Sequence, residues 1–215
     1  MVTLIQEIVK RPVARKLLHV SCGLVHLLCW PLYTDASSAR FACSCVPGLA
    51  TAQFALVGLG LIKDEFVVAS STRSGNPREL LRGPLIYGLV HTVLTAVCWR
   101  HSPVAVATIS VLCAGDGFAD LVGRRHGKHN PLPFNRRKSW AGSAACLVAG
   151  WVASSAFMLA FQRQGFLLTG VPTAIILWKL LAVSSCSAIV EALPIPEIDN
   201  LTVAVSAAAS AALLF

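Results

Sequence analysis

Residues 113–143 read CAGDGFADLVGRRHGKHNPLPFNRRKSWAGS, and the rest of the chain is organised around them. The stretch opens at the end of an apolar run with two carboxylates, Asp116 and Asp120, flanked by Gly115, Gly117 and Gly123. Six basic residues follow, Arg124, Arg125, Lys128, Arg136, Arg137 and Lys138. Ser139, Trp140, Ala141 and Gly142 then lead into a second apolar run. Asp116 and Asp120 are four apart, so on a helix they share a face about one turn apart. A charge at membrane depth costs roughly 2.5–3.5 kcal/mol on insertion scales, which makes it a functional candidate by default. The plainer reading of Asp120 is an i,i+4 ion pair with Arg124. Two aspartates also offer the hard oxygens that Mg²⁺ takes beside substrate phosphates. Lys138 and Ser139 precede a helix start, where free N–H groups, a cation and a hydroxyl suit an anion. Arg136 and Arg137 are phosphate clamps or topology anchors. The glycines admit either a close phosphate or a close helix. The whole stretch points to a metal-bound phosphate handled at a membrane edge.

Working outward, the chain is 55% hydrophobic and only 13% charged, with a mean hydropathy of +0.68. Soluble domains carry about 25% charged residues, so the deficit points to a polytopic membrane protein. Seven apolar runs cover about 17–33, 41–62, 84–99, 103–122, 141–161, 171–190 and 201–215. Runs one, three and seven are short for a crossing of about 20 residues. If each run crosses once, fourteen of the eighteen Lys and Arg fall on one side. They lie in the N-terminus and in the loops 63–83 and 123–140. Arg40, Arg100 and Arg163 fall on the other side, and Lys179 lies inside run six. The positive-inside rule makes the first side cytoplasmic or stromal. The expected fold is an all-α, polytopic membrane helix bundle of six or seven transmembrane helices. It forms one domain over 1–215, with 1–16 a short basic N-terminal segment that reads as neither transit nor signal peptide.

The net charge of +8 sits in short loops between apolar runs. Topology and anionic phosphate account for it, and nucleic acid is not an expected partner. Eight cysteines lie in or beside apolar runs without any CxxC pair, which suits packing rather than disulfides or zinc. The remaining polar clusters all fall on the positive side: Arg15, Lys16 and His19 at the mouth of run one, and Arg78, Glu79, Arg82 and Gly83 before run three. Glu191 and Asp199-Asn200 bracket a Pro-rich turn, EALPIPEIDN. No GxxxxGK[ST] phosphate loop occurs.

These blocks together resemble the polyprenol kinase family, most closely its plant and algal phytol/farnesol kinases. The resemblance is carried by RKLLH from Arg15, ELLRGPL from Glu79, CAGDGFADLVGRR from Cys113, LPFNRRKSWAGS from Leu132 and EALPIPEIDN from Glu191. It implies an integral membrane kinase that phosphorylates an isoprenoid alcohol with CTP and a divalent cation. For a phytol kinase it further implies a chloroplast membrane, with the active face towards the stroma, and phytol salvage towards tocopherol; the endoplasmic reticulum is the other candidate. On this reading Asp116 and Asp120 hold Mg²⁺, while Lys138 neutralises charge on the transferring group. Glu191 or Asp199 orients or deprotonates the alcohol. Substrate or nucleotide is bound by Arg15, Lys16, His19, Arg82, Gly115, Gly117, Gly123, Arg124, Asn135, Arg136, Arg137, Ser139, Gly142 and Asn200. The order of motifs also resembles the CDP-diacylglycerol synthase signature, which makes a CTP-dependent cytidylyltransferase the rival enzyme. A transporter or scaffold is the non-enzymatic rival; a transporter would keep its charges near the midplane of two related halves. Two departures from the family pattern stand out. Ile198 precedes Asp199-Asn200, and Val46-Pro47 is followed by GLATAQFALVGLG without an arginine.

Overall fold

The computed structural model describes residues 11–167, 169–195 and 198–215. Residues 1–10 of the basic N-terminal segment lie outside them, as do Pro196 and Glu197 of the last motif. Among the described residues nine α-helices follow in order: α1 Arg11–Cys29, α2 Ala39–Gly58, α3 Glu65–Ser71, α4 Gly83–Val97, α5 Pro103–Ser110, α6 Asp116–His126, α7 Trp140–Arg163, α8 Thr173–Ala192 and α9 Asp199–Leu214. The described residues contain no strand beyond an isolated bridge between Pro131 and Ser139, so the fold is all-α, as the periodicity requires. Proline near the first position of α4 and α5 explains where these helices start, since its missing N–H would be unpaired there anyway.

Every apolar run forms a helix, but among the described residues five segments rather than six or seven are long and apolar enough to cross a membrane. They are Ala39–Gly58, Pro77–Val97, Pro103–His129, Trp140–Arg163 and Thr173–Ala192. The two that fall short have separate reasons. α1 begins with Arg11, Arg15 and Lys16 and carries His19 and His26, which dilute its apolar character. α9 has 16 residues and is about 24 Å long, against a hydrocarbon core of about 30 Å. Both are nevertheless built into the bundle: Leu27 of α1 and Val203, Ala207 and Ala211 of α9 are fully buried.

The helical segment that carries Asp116 and Asp120 is the hub of the bundle. In Pro103–His129, 78% of the apolar window is buried inside the protein, against 22–33% for the other four spans. This helix is surrounded by neighbours while the others show an apolar flank to lipid. It is not uniform. Residues 111–115 form a π-helical turn between α5 and α6, in which the Asp116 N–H bonds to Val111 O five residues back. In an α-helix that N–H would take Leu112 O. Here Leu112 O accepts instead from His19 Nε2 at 3.1 Å, so the irregular turn couples the hub to α1 immediately before Asp116. Such π turns cluster at functional sites.

Candidate functional site

Asp116 sits at the first position of α6, 2% exposed. Its Oδ2 accepts from Lys16 Nζ at 2.5 Å, and His19 Nε2 stands 3.4 Å from the same oxygen. Lys16 is itself buried. A lone charge at this depth would be strongly unfavourable, so each ion makes the other tolerable. One turn on, Asp120 is half-buried and accepts from Arg124 Nε at 2.9 Å. The bland i,i+4 pair therefore does form.

The loop after α6 doubles back on itself. Leu132 N donates to Lys138 O, Trp140 N to Asn130 O, and Lys138 N to Asn135 O. Asn135 is buried and fastens this loop to the end of α8 by donating from Nδ2 to Ala192 O at 3.0 Å. That tie brings Lys138 against Glu191, with which it pairs. Burial alone would lower the Lys138 pKa, but Glu191, with help from Asp116 and Asp199, outweighs it and holds the ammonium above its ordinary 10.5. Ser139 caps α7 by accepting from Gly142 N at 3.1 Å. Asn200, at the start of α9, donates to Gly83 O at 3.0 Å and so ties α9 to α4.

These elements enclose one cleft of about 1060 Å³. Sixteen of the nineteen residues read from the sequence line it: Arg15, Lys16, Arg82, Asp116, Asp120, Gly123, Arg124, Asn135, Arg136, Arg137, Lys138, Ser139, Gly142, Glu191, Asp199 and Asn200. The mouth of α1 and the loops before α4, before α7 and before α9 thus meet on one face, as the alternation of charge requires. His19, Gly115 and Gly117 do not line the cleft. His19 lies below Asp116 and stacks on Tyr87, with ring centroids 4.1 Å apart. A Cβ on Gly115 would press on the Cys146 backbone and one on Gly117 on Val20, so these two glycines serve helix contact. Gly123 and Gly142 do likewise while also reaching the cleft wall, since each would set a Cβ within 3.6 Å of the other's Cα.

The cleft also holds residues that the motifs did not flag as functional. Arg73, which the sequence offers only as a topology charge, lines it, as do Lys128 of the basic loop and Glu79 of the polar cluster before α4, neither of which has an individual role in the sequence pattern. Phe134, Leu193, Pro194 and Ile195 give one wall an apolar surface. Counting the lining residues, nine Lys and Arg face five Asp and Glu, an excess that suits a polyanion. α2 contributes nothing to the lining, so the arginine missing from its sequence leaves no gap in the wall. Asp116 and Asp120 have the hard-oxygen chemistry of Mg²⁺ ligands, and both face the cleft. Each already carries a cation partner, and among the described residues no group of three His, Cys, Asp or Glu side chains is arranged to hold a metal. The residues therefore fit a Mg²⁺ shared with nucleotide phosphates better than a closed protein site.

Similarity to known proteins agrees with this arrangement. The chain is 44% identical over 217 residues to "Probable phytol kinase 2, chloroplastic" of Oryza sativa subsp. japonica, covering 98% of this chain and 70% of the rice protein. It is 40% identical over 212 residues to "Probable phytol kinase, chloroplastic" of Zea mays, covering 98% and 69% respectively. The chain belongs to the phytol/farnesol kinase family. A third family member, "Farnesol kinase, chloroplastic" of Arabidopsis thaliana, is 43% identical over 203 residues, which is 94% of this chain and 65% of that protein. No family model matches the chain, and no solved structure does either. The phytol/farnesol kinase blocks that the sequence offers singly are, in space, the walls of a single cleft.

Proposed function

We infer that this chain is a phytol kinase, a single membrane domain that moves the terminal phosphate of CTP to the hydroxyl of phytol or a related isoprenoid alcohol such as farnesol or geranylgeraniol. The observation that carries this is a polar, positively charged cleft with an apolar wall, built at one end of a membrane bundle. A polyanionic donor and an alcohol with a hydrocarbon tail each find a matching surface there. The relatives' names support the alcohol class and the chloroplast, the apolar spans support a membrane, and the charge asymmetry supports a stromal active face.

In this mechanism Lys138, Arg136 and Arg137 neutralise the phosphate oxygens, and Arg15 and Lys16 reinforce them from the opposite wall. Most of the acceleration then comes from positioning and electrostatics. Asp116 and Asp120 would hold Mg²⁺, which supplies charge neutralisation on the nucleotide phosphates. Glu191 is taken up by Lys138 and keeps that ammonium charged and aimed into the cleft. Asp199 is therefore the better acceptor for the alcohol proton. As the alcohol oxygen bonds to the terminal phosphorus, the bridging P–O bond breaks, the proton passes to Asp199, and CDP leaves.

The test uses the full chain in lipid nanodiscs with labelled CTP or ATP and a panel of phytol, farnesol, geranylgeraniol, dolichol and diacylglycerol. The kinase reading expects a prenyl monophosphate and CDP. Release of pyrophosphate with a CDP-lipid would instead identify a cytidylyltransferase. If no pairing yields a phosphorylated lipid, the enzymatic reading fails.

A further inference from the structure

Glu79 lines the cleft, yet both its oxygens are turned back on its own loop. Oε2 accepts from Arg73 N at 2.6 Å, and Oε1 accepts from Ser74 N at 3.2 Å and from the Ser74 hydroxyl. The loop is closed further by side chains. Thr72 Oγ1 accepts from Gly75 N at 3.1 Å, and Asn76 Oδ1 accepts from Arg78 N at 3.0 Å. Gly75 takes φ +85, a left-handed turn that a side chain would disfavour. Thr72 is buried and donates to Val68 O, which fixes the loop to α3, and α3 packs on α1. The result is a rigid turn that holds the Arg73 side chain at the cleft wall.

Arg15 lines the same cleft from α1. Among the described residues, its Nε and Nη2 are shielded from solvent without a hydrogen-bond partner. Shielded donors of this kind are unfavourable unless something accepts from them. Two guanidinium groups directed at one space also repel each other until an anion enters, and the fork of N–H donors on each matches phosphate oxygens.

We propose that Arg73 is a further phosphate-binding residue of the cleft, acting together with Arg15, and that Glu79 is its positioning residue. The proposal rests on the kinase reading for the identity of the anion, a nucleoside triphosphate. Glu79 itself touches neither phosphate nor alcohol. It acts by fixing the backbone at residues 73 and 74.

The test combines calorimetric titration of CTP and ATP with steady-state kinetics on the full chain in nanodiscs. Arg73→Ala is expected to weaken nucleotide binding and raise the nucleotide KM about tenfold, the loss typical of one charged hydrogen bond, with the alcohol KM unchanged. Arg73→Lys restores part of the loss. Glu79→Gln raises the nucleotide KM in the same way, and the double variant Arg73→Ala with Glu79→Gln is no worse than Arg73→Ala alone. An unchanged nucleotide affinity in Arg73→Ala overturns the proposal. So does an additive double variant, or a fall in kcat at constant KM in Glu79→Gln, which would make Glu79 a participant in the chemistry. If the wild-type chain binds CTP or ATP through Arg73 but phosphorylates no alcohol, the kinase reading falls and Arg73 stands. If it binds neither nucleotide, both fall.

Discussion

Two buried cations stand at opposite ends of this bundle, and their surroundings differ in kind. Arg100, on the face away from the cleft, is 1% exposed. It donates to the carbonyl oxygens of Trp30, Tyr33 and Thr34 at 2.8–3.1 Å and pairs with Asp35. Its guanidinium also lies over the ring of Phe166, 4.1 Å from the centroid. Trp99 just before it takes φ +53, a left-handed conformation costing about 1–2 kcal/mol in a residue with a side chain. Lys16, at the other end, has one carboxylate partner and opens onto a cleft. A cation surrounded by carbonyls and aromatic faces holds two loops together. A cation that shares its only counter-ion with an open cleft is available for exchange when a charged ligand arrives. The burial is the same, and the number and kind of partners distinguish structure from function.

The sharpest way to break this comparison is to remove charge at the cleft. Asp116→Asn should lower phosphate transfer by at least about a thousandfold, or about 4 kcal/mol in the barrier, measured as labelled prenyl phosphate formed per folded molecule. It should also destabilise the bundle by about 3 kcal/mol, because Lys16 is left buried without a counter-ion. The double variant Lys16→Gln with Asp116→Asn separates the two effects. Stability in a detergent unfolding titration should return close to wild type, while activity stays lost. Recovery of activity in the double variant would show that the pair is only structural, like Arg100.

At the far end the signs reverse. Arg100→Ala strips three carbonyl oxygens of their donor and should cost about 3 kcal/mol of stability, with kcat and KM per folded molecule unchanged. A catalytic defect that persists after correcting for the folded fraction would mean that the two ends communicate and that the division drawn above is wrong.

Lys138 lies between these cases, since it is paired with a buried carboxylate and also faces the cleft. Lys138→Ala should lower kcat about a hundredfold, the usual cost of removing one charge-stabilising donor, and Lys138→Arg should retain part of it. The pH dependence has a defined sign. Glu191 raises the Lys138 pKa on folding, so the stability that the pair contributes is fully present below the ordinary 10.5 and is lost as pH rises through the folded value. The stability difference between wild type and Lys138→Ala should therefore stay flat on the neutral side of 10.5 and shrink above it.

Much of the site was legible because its motifs are short local blocks in which charge interrupts apolar sequence. Asp116, Asp120, Lys138 and Glu191 declare themselves by carrying charge at the ends of membrane runs. Four things were not legible, each for a physical reason. The partner of Asp116 is Lys16, a hundred residues earlier, and no local pattern encodes which cation meets which carboxylate. The π turn lies in Val111–Gly115, VLCAG, where five apolar and small residues give the same signal as an ordinary helix. Arg73 sits in a surface loop containing Ser and Gly, and Glu79 in the short helical turn that follows it, and their roles appear only when the carboxylate is seen to bond the backbone. The sequence also could not separate a glycine that approaches phosphate from one that approaches a helix. Gly123 and Gly142 settle against each other because tertiary packing decided it.

Lys179 offers the finest test, because it is a half-buried cation in the middle of an apolar run and does not line the cleft. Its Nζ lies 4.9 Å from the ring centroid of Phe215, so its one observed partner is an aromatic face near the end of α9. A cation–π contact contributes about 0.5–1 kcal/mol at such a site. Removing the charge with Lys179→Met also relieves the cost of holding it within the bundle, and a methionine fills nearly the same volume. The two effects oppose each other, so stability should move by less than about 1 kcal/mol in either direction, with phosphate transfer unaltered. A loss as large as that of Arg100→Ala would mean that partner number does not determine how far a cation within the bundle supports the fold. A loss of activity would extend the functional region well beyond the cleft. The expected null result would leave polar saturation and access to the cleft as the two properties that sort Arg100, Lys16 and the half-buried Lys179.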